Sequence, residues 1–570
     1  MTPRLAHALT LTAALCAAHP VPAAACGCFA PPDPTQPVLQ AGERILFLVD
    51  GNTVEAHIQI QFSGRASEFG WLLPLPSVPK LEVGTDELFV KLTALTGPSF
   101  NVYTRYPENC ASPPSIDAGF LASDLNAFPV DAASRADAAA MDPSPLVVRD
   151  SVGPYDYAVL KADSKQAMFD WLKANRYFVP AGTDGAVAQY IHPGAFFLAL
   201  KLKSGRSSGD LQPVIVRYAS DLPMIPIVLT SVTSLRDMPV AVWVLGGGRA
   251  IPRNYHHTVI NEAAIDWTAP LFSYARLVTR AVGEAPGKHS FVTEYAGPAS
   301  IMRQQLDYPG RFGDLAALRV EKDAFAYIRV VRSSGYSPSS ILFTILQRYL
   351  PLPPDVQAAG ISPGTFYWNL DFFKQTRFPN LSFPPFDAAK LTADLEAAIV
   401  KPTRAAQAPF AKFPQLTYLF TTLSPEDMSR DPVFSFNKDL PAVSNVHQAT
   451  ITLGCPAPDS WTYPILKVVL ADGRTIWYRD GQPILNGPLP ASQRIETLRD
   501  SGPPEVVTDN QKAIDKALTP PSGPQQPPDA GSQPPLSGRG CALQGLSDPT
   551  PPVVALLAAL LVLAFARRRR

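Results

Sequence analysis

The segment Gly360-Ile-Ser362-Pro-Gly364 is the motif in this sequence that could do the most demanding chemistry. A G-x-S-x-G turn can expose a serine nucleophile, provided that a buried strand precedes the serine and a helix follows it. Here the segment 351–354 before the motif is proline-rich, and Pro363 follows the serine directly. This context predicts that Ser362 caps a helix whose first residue is Pro363. We therefore assign no catalytic residue to the motif.

Two glycine-containing segments could cradle a phosphate group. Gly246-Gly247-Gly248 follows a strand-like run, but residues 249–252 do not begin a helix, so no helix N-terminus would face a phosphate. Gly287-Lys288-His289 lacks both the spacing and the Ser or Thr of a P-loop. The sequence predicts a flexible turn at the first segment and no cofactor-binding residues.

His256 and His257 come nearest to a metal site. Adjacent residues on a strand point to opposite faces, so the two imidazoles cannot chelate one ion together. The sequence also has no H-E-x-x-H motif and no EF-hand loop. We expect no metal ligand, no cofactor and no catalytic residue, which favours a non-enzymatic protein. The alternative is a secreted hydrolase with an unrecognised active site.

The N-terminus has the three parts of a secretory signal peptide. Arg4 supplies a positive charge, Leu5–Ala18 is apolar, and small residues surround Ala25. A membrane-spanning helix needs about 20 apolar residues, and this run is shorter. We expect signal peptidase to cut between Ala25 and Cys26, making residues 1–25 the signal peptide and the protein an exported one.

Four cysteines lie between the predicted signal peptide and the C-terminal tail, and they are candidates for disulfide bonds: Cys26, Cys28, Cys110 and Cys455. An even number in an exported chain indicates disulfides, and four cysteines allow three pairings. A bond between Cys26 and Cys28 would close a small, strained ring. We therefore favour cross-links from this N-terminal pair to the other two cysteines. The Cys-x-Cys spacing is not the usual one for zinc.

The C-terminus resembles a membrane anchor. Val553–Ala566 is apolar, and as a helix it would reach about 21 Å across a hydrocarbon core of about 30 Å. The chain then closes with a cluster that suits a cytoplasmic membrane face and would stop transfer: Arg567, Arg568, Arg569 and Arg570. The predicted topology places the body outside the cytoplasm. The alternative is a terminal core helix.

A Pro-rich linker over 516–540 separates the body from this tail. Pro, Gly, Ser and Gln bury little apolar surface, so the segment is expected to be an extended spacer. Gly540 and Cys541 come next, ahead of the apolar run and the arginines. This order resembles the MYXO-CTERM type of sorting tail. The resemblance implies that a sorting machinery processes 541–570 near Cys541.

Composition indicates a globular body of two to four domains, with 46% hydrophobic and 17% charged residues. The chain has 49 basic and 49 acidic residues. Arg4, the four terminal arginines and Asp548 lie outside residues 26–540, which leaves 44 positive and 48 negative charges, a net of −4. A body with this slightly negative net charge has no excess of positive charge to attract phosphates, which argues against nucleic-acid binding.

The pattern of apolar residues predicts an α+β fold, with a mainly antiparallel β-sheet body, packed helices and more helix in the second half. Residues 44–50 and 54–62 form a hairpin around an Asp-Gly-Asn turn. Strict alternation in its second strand places His57 on the solvent-facing side. Thr85 is expected to cap a helix.

Four further strand-like runs indicate a meandering sheet: 195–202, 211–218, 224–232 and 239–245. Ser337-Pro338 and Asp387 are each expected to begin a helix. We predict a β-rich domain over 26–302, with a disordered insertion near 111–150, and a domain of mixed helix and strand over 303–515.

Several phrases, in order, resemble a bacterial family known as domain of unknown function 2330: 25–29 (ACGCF), 40–50 (QAGERILFLVD), 53–79 (from TVEAHIQIQF to WLLPLPSVP), 152–164 (VGPYDYAVLKADS) and 413–447. The resemblance implies an exported, envelope-associated protein and no agreed activity or catalytic residues. We therefore expect an envelope-anchored or cell-surface protein that binds an unknown envelope partner or polymer.

Overall fold

The computed structural model describes residues 39–63, 70–108, 110, 145–175, 177, 183–456 and 462–520. The strands in these ranges are β1 (Leu39–Asp50), β2 (Thr53–Ser63), β3 (Gly70–Leu75), β4 (Lys80–Val83), β5 (Ser99–Arg105), β6 (Leu146–Val152), β7 (Tyr155–Lys161), β8 (Phe196–Leu202), β9 (Val214–Ala219), β10 (Met238–Gly246), β11 (Arg249–Pro252), β12 (His256–Ile260), β13 (Ser290–Pro298), β14 (Gln415–Leu423), β15 (Phe434–Asn437), β16 (Val446–Leu453), β17 (Ile465–Leu470), β18 (Thr475–Arg479), β19 (Gln482–Pro483), β20 (Ser492–Thr497) and β21 (Glu505–Asp509).

The helices in the same ranges are α1 (Asp86–Thr96), α2 (Lys165–Ala174), α3 (Thr183–Ala188), α4 (Ile227–Thr230), α5 (Pro270–Gly283), α6 (Leu315–Val320), α7 (Ala324–Ser333), α8 (Ser340–Tyr349), α9 (Pro354–Ala358), α10 (Pro363–Trp368), α11 (Leu370–Thr376), α12 (Ala388–Leu395), α13 (Lys401–Ala405), α14 (Pro409–Lys412) and α15 (Gln511–Leu518). The α+β class is therefore confirmed. The second half is not clearly richer in helix, because the helices after β13 give way to strands again from β14 onward.

The main sheet has ten strands in the described part of the chain, in the order β21-β20-β12-β13-β14-β10-β1-β2-β9-β4. The predicted hairpin is confirmed, since β1 and β2 pair antiparallel from Asp50–Thr53 outward. β10 pairs parallel to β1 and antiparallel to β14. The helices α6–α14 lie in sequence between β13 and β14, which are themselves paired neighbours. Strands that precede and strands that follow residue 302, the end of the predicted β-rich domain, therefore belong to one sheet.

A second sheet, ordered β3-β8-β7-β6, packs on one face of the main sheet. The inward side chains of both sheets, among them Phe47, Val242, Leu73 and Leu198, form one apolar core. Helix α1 packs on the opposite face of β1 and β10, where Leu46 and Trp243 meet its apolar side. Both faces of the central strands are therefore buried.

This two-sided burial corrects the expected exposure of His57. Its side chain is 2% exposed and lies on the face that α1 covers, next to Leu46 of β1. His57 Nε2 lies 2.8 Å from Glu55 Oε1, a contact that satisfies one nitrogen of the ring. Alternation identified the two faces of β2 correctly, but it could not show that a distant helix covers the polar one.

The helices α6–α12 have a core of their own, built from residues such as Tyr327, Leu346, Phe366 and Leu391. Two ion pairs hold this layer to the rest of the body. Arg311 Nη2 lies 3.1 Å from Glu87 Oε1 of α1, with both side chains buried. Arg348 Nη2 lies 2.7 Å from Asp210 Oδ1, which precedes β9.

Several local expectations have clear outcomes. Thr85 caps α1 and Asp387 caps α12, as predicted. Helix α8 is capped by Ser339, whose hydroxyl accepts from Leu342 N, and Ser337 was the wrong choice. The strand predicted over 224–232 was also wrong, because helix α4 occupies its centre. Short apolar runs between prolines do not distinguish a strand from a buried helical turn.

The boundaries also differ from those expected. β6 begins at Leu146, so the end of the segment predicted as a disordered insertion is a strand. Helix α15 extends to Leu518, three residues into the predicted linker. The predicted signal peptide, residues 521–540 of the linker and the tail lie outside the described residues. Among the residues that are described, no helix is long and apolar enough to cross a membrane.

A disulfide joins Cys110 to Cys455. Strands β5 and β16 run parallel as neighbours in a third sheet, and each is followed closely by one of these cysteines, which brings their Cα atoms to 5.4 Å. The expected cross-links from Cys26 and Cys28 to these two residues were therefore wrong. Spacing along the chain could not reveal a parallel pairing across 345 residues. Cys26 and Cys28 lie outside the described residues.

Replacing Cys110, Cys455 or both with Ser should each lower the free energy of unfolding by the same amount, about 3 kcal/mol, because either change opens the same covalent loop. Urea unfolding of the three variants measures this. Peptide mapping without reductant should recover the 110–455 pair. A map that joins either residue to Cys26 or Cys28 would overturn the assignment.

Candidate functional site

The main sheet has an opening beside the end of β2. β9 pairs with β2 only from Thr53 to Ile58, and the last pair joins Ile58 to Val214. The pairing stops there because Pro213, which precedes Val214, has no N–H to donate. The backbone of 59–61 therefore lacks a β9 partner on that side. A cavity of about 390 Å³ occupies this gap between the sheets and the helical layer.

The walls of this first cavity combine apolar side chains with amide, hydroxyl and carboxyl groups. The lining residues are Ile58, Gln59, Ile60, Gln61, Trp71, Asp86, Tyr155, Leu200, Gly209, Leu211, Gln212, Val214 and Ser340. β2 supplies two glutamines and two isoleucines to this lining. Alternate residues of a strand point to opposite faces, so both faces of the unpaired strand end contribute to the cavity. Trp71 and Tyr155 come from the second sheet and contribute aromatic surface.

Asp86 is the acidic group of this cavity. It is the first residue of α1, and Gln59 Nε2 donates a hydrogen bond to its Oδ1 at 2.5 Å. Arg44 Nη1 in turn donates to Gln59 Oε1 at 3.4 Å. Burial raises the pKa of Asp86, while the bond from Gln59 and the charge of Arg44 oppose that rise. The carboxyl is thus held in place and partly compensated.

Tyr155 and Gln212 fix the opposite wall. The Tyr155 hydroxyl donates to Gln212 O at 2.5 Å and accepts from Gln212 N at 2.9 Å. Gln212 Nε2 donates to Ala398 O at 2.6 Å, which ties the wall to the helical layer. Among the described lining residues there is one carboxyl group and no imidazole or thiol. The walls can offer hydrogen bonds to a ligand, and they lack a paired acid and base.

A second cavity, of about 210 Å³, shares Ile58 with the first and lies deeper between the two sheets. Its lining is largely apolar: Glu43, Ile45, Phe47, Ala56, Ile58, Leu73, Pro74, Leu75, Pro76, Tyr190, His192, Ala195, Tyr218, Ser220, Leu222, Met224 and Pro226. Glu43 is 5% exposed, and this burial raises its pKa to about 7. The hydrogen bond that Gln40 Nε2 donates to Glu43 Oε2 at 3.3 Å acts in the opposite direction and lowers the pKa.

A β-bulge in β13 directs two neighbouring side chains into separate buried networks. Glu294 is the extra residue of the bulge. The Tyr274 hydroxyl donates to both carboxyl oxygens of Glu294, at 3.2 and 3.1 Å. Burial raises the pKa of Glu294 to about 7, although nearby His447 and the bond from Tyr274 lower it. His447 Nδ1 lies 3.1 Å from Glu262 Oε1.

The other network contains His257. His257 Nδ1 lies 3.1 Å from Glu496 Oε2, and its Nε2 lies 3.0 Å from Thr293 Oγ1. Burial lowers the pKa of His257, which favours the neutral ring. Arg249 Nη2 also donates to the Thr293 hydroxyl, at 3.2 Å. Carboxylate, imidazole and hydroxyl follow one another as in a nucleophilic triad. However, none of these residues lines either cavity, and the hydroxyl is buried.

The motifs weighed from sequence occupy structural positions. Ser362 caps α10, and its Oγ accepts from Thr365 N, as predicted. Gly246–Gly248 makes the turn between β10 and β11. His256 and His257 lie on β12, and in the described part of the chain no group of three or more His, Cys, Asp or Glu could hold a metal ion. The predicted processing residues Ala25, Cys26, Gly540, Cys541 and Arg567–Arg570 lie outside the described residues.

Sequence reasoning missed the residues of both cavities. One signal was available for Glu43, because it is in phase with Ile45 and Phe47 on an apolar strand, which places a carboxyl on the core face. Asp86 carried no such signal, since an acidic residue in the first turn of a helix is common for electrostatic reasons alone.

In the unmodified chain, ionisation of Glu294 should make the free energy of unfolding about 3 kcal/mol lower at pH 8 than at pH 4. The variant Glu294→Gln should lack this contribution to the pH dependence. The carboxyl ionises near its ordinary pKa of 4.5 in the unfolded chain and near a pKa of about 7 in the folded one, so folding becomes less favourable as pH rises between these values. Urea unfolding at both pH values measures the difference. The variant Tyr274→Phe keeps the carboxyl and removes a bond that lowers its pKa, so the pH dependence should persist and become larger. An equal pH dependence in the Gln variant would contradict this account.

The family DUF2330, described as "uncharacterized protein conserved in bacteria", matches residues 21–309. No curated protein and no solved structure matches the chain. The matched range contains all lining residues of the second cavity and all except Ser340 of the first. The match covers half of the chain, and the protein therefore belongs to the DUF2330 family.

Proposed function

We propose that this protein is an exported, envelope-anchored binding protein whose first cavity holds a neutral, hydroxyl-rich ligand such as a sugar unit of an envelope polymer. The observation that carries the proposal is the lining of that cavity, in which Gln59, Gln61 and Gln212 stand beside Asp86 and Trp71. Such a wall offers both hydrogen-bond donors and acceptors next to a flat apolar surface.

The chemistry of these groups selects a sugar over a charged ligand. A sugar hydroxyl both donates and accepts, which matches the amide and carboxyl groups of the cavity. The C–H faces of a sugar ring match the indole and phenol surfaces. Asp86 has a hydrogen bond from Gln59 and the nearby charge of Arg44, so it does not require a cation from the ligand. At about 30 Å³ per water, the cavity has room for about 13 waters, the size of a small sugar.

The same lining favours binding over hydrolysis. Cleavage of a glycosidic bond ordinarily uses two carboxyl groups on opposite sides of the scissile bond. Asp86 is the single carboxyl among the described lining residues of the first cavity, and Glu43 belongs to the second. Hydrolysis would therefore need catalytic groups beyond these walls.

Export and anchoring rest on the sequence pattern and gain support from the disulfide. Disulfides persist in oxidising compartments and are rare in the cytosol. The bond between Cys110 and Cys455 is consistent with a body held outside the cytoplasm. We place the tail of the protein in the membrane through Val553–Ala566, with processing near Cys541, as its likeness to MYXO-CTERM tails suggests.

Replacing Gln61 with Leu or Asp86 with Asn should weaken binding of the sugar ligand about tenfold, since the first change removes an amide from the wall and the second replaces an acceptor oxygen with a donor. Tryptophan fluorescence and calorimetry with a panel of neutral mono- and disaccharides, including N-acetylhexosamines, measure the affinity. Gln166→Leu alters an exposed glutamine away from the cavity and serves as the matched control.

Two results would contradict the proposed binding function. If no sugar of the panel binds, or if Gln61→Leu and Gln166→Leu bind equally well, the first cavity does not recognise hydroxyl-rich ligands. If mass spectrometry detects cleaved disaccharide that is lost with Asp86→Asn, the protein is a hydrolase.

Deleting residues 541–570 should release a folded, soluble body from the envelope, because the linker insulates the body from its anchor. Replacing Cys541 with Ser should leave the body folded and mislocalised. Cys16→Ser is the matched control, since that residue is expected to leave with the signal peptide. Cell fractionation with immunoblotting reports the location. Unfolding of the truncated chain, or normal sorting of the Cys541 variant, would refute the sorting-tail assignment.

A further inference from the structure

We infer that the second cavity is a separate binding site for a small apolar amine, whose ammonium group pairs with Glu43 while its hydrocarbon part fills the space between the two sheets. This site is distinct from the sugar-binding cavity of the proposed function and does not rest on it. Both proposals place their ligands beside β2, on either side of Ile58.

The apolar character of the walls defines one part of the ligand. Ile45, Phe47, Leu73 and Leu75 belong to the core between the two sheets, yet they also line an open space. At about 30 Å³ per water, that space equals about seven waters. A hydrocarbon chain or ring of similar size would fill it and gain the free energy of apolar burial.

The charge balance of the cavity defines the other part. Glu43 is 5% exposed and accepts one hydrogen bond from Gln40, and no Lys or Arg occurs among the described lining residues. A buried carboxylate without a cation is costly. A ligand with an ammonium group would supply the missing charge, whereas a neutral or anionic ligand of equal size would not.

The remaining polar groups of the cavity do not compete for this role. The Tyr190 hydroxyl donates to Asp431 Oδ2 at 2.7 Å, and the Ser220 hydroxyl donates to Leu222 O at 2.9 Å. Burial raises the pKa of Tyr218, which keeps its phenol neutral. His192 is exposed and, with Pro76, marks the mouth of the cavity. An amine that enters past His192 meets Glu43 as the acidic group of the lining.

Ionisation of Glu43 must accompany binding of an ammonium ion. Burial raises the pKa of Glu43 to about 7, so at pH 6 the carboxyl is mostly protonated and has to release its proton to form the ion pair. The apparent affinity scales with the ionised fraction, which rises about tenfold from pH 6 to pH 8. A neutral ligand of the same shape would show no such dependence.

Calorimetry of the purified full-length protein with n-hexylamine and 1-hexanol tests this inference. We expect hexylamine to bind at least tenfold more tightly than hexanol at pH 8, and to release close to one proton at pH 6, as measured in buffers of different ionisation enthalpy. Glu43→Gln, which has nearly the same shape, should lose the preference for the amine and still bind hexanol. Glu505→Gln changes an exposed glutamate that lines neither cavity, and as the matched control it should keep both the preference and the proton release.

Equal affinity for the amine and the alcohol in the unmodified protein would overturn the amine site, as would hexylamine binding at pH 6 without proton release. Absence of hexylamine binding would overturn it as well. Proton release that disappears in His192→Gln would assign the titrating group to the histidine and overturn the role of Glu43. Since sugar binding is measured in a different cavity, loss of either site leaves the test of the other intact.

Discussion

The burial of β1 on both faces is the constraint on which the rest of the structure depends. The strand pairs with β2 on one side and with β10 on the other, and its two faces meet the second sheet and α1. Consecutive residues of a strand point in opposite directions. Glu43 is therefore directed into the space between the sheets, while Arg44 reaches the Gln59–Asp86 pair on the other side. One strand supplies a charged group to each of the two environments.

The two cavities arise where pairing and packing around β2 stop. Pro213 ends the β9 ladder at Val214, and the strand end beyond Ile58 is left for other partners. The helical layer closes over this end through the bond from Gln212 to Ala398 and through the ion pair between Arg348 and Asp210. Residues outside the DUF2330 match thus complete a cavity that lies mainly inside it.

The local parts of the fold could be predicted from the sequence, because they depend on neighbouring residues. Alternation from Val54 onward and the turn at Gly51 identified the first hairpin, and Thr85 and Ser362 were recognised as helix caps. The burial of His57 could not be predicted, since it depends on a helix about 30 residues away that packs across the polar face of β2.

The candidate sites were less accessible to sequence reasoning than the fold. Alternation separated the polar from the apolar positions of β2, but the role of Gln59 and Gln61 depends on where β9 ends. The partner of Cys110 depended on the parallel pairing of β5 with β16, which no spacing rule describes. Glu43 was detectable as a charge in phase with core residues, and that observation alone says nothing about an adjacent cavity.

The placement of β14 between β10 and β13 has a consequence for biosynthesis. A ribosome delivers β10 and β13 before the long helical segment and β14 after it, so the centre of the main sheet stays incomplete for more than a hundred residues of synthesis. Until β14 is made, the edges of β10 and β13 that will later pair with it are unpaired, and these edges and their apolar side chains can contact non-native partners. The insertion of β14 is therefore the step that joins β10 to β13 and closes the centre of the main sheet.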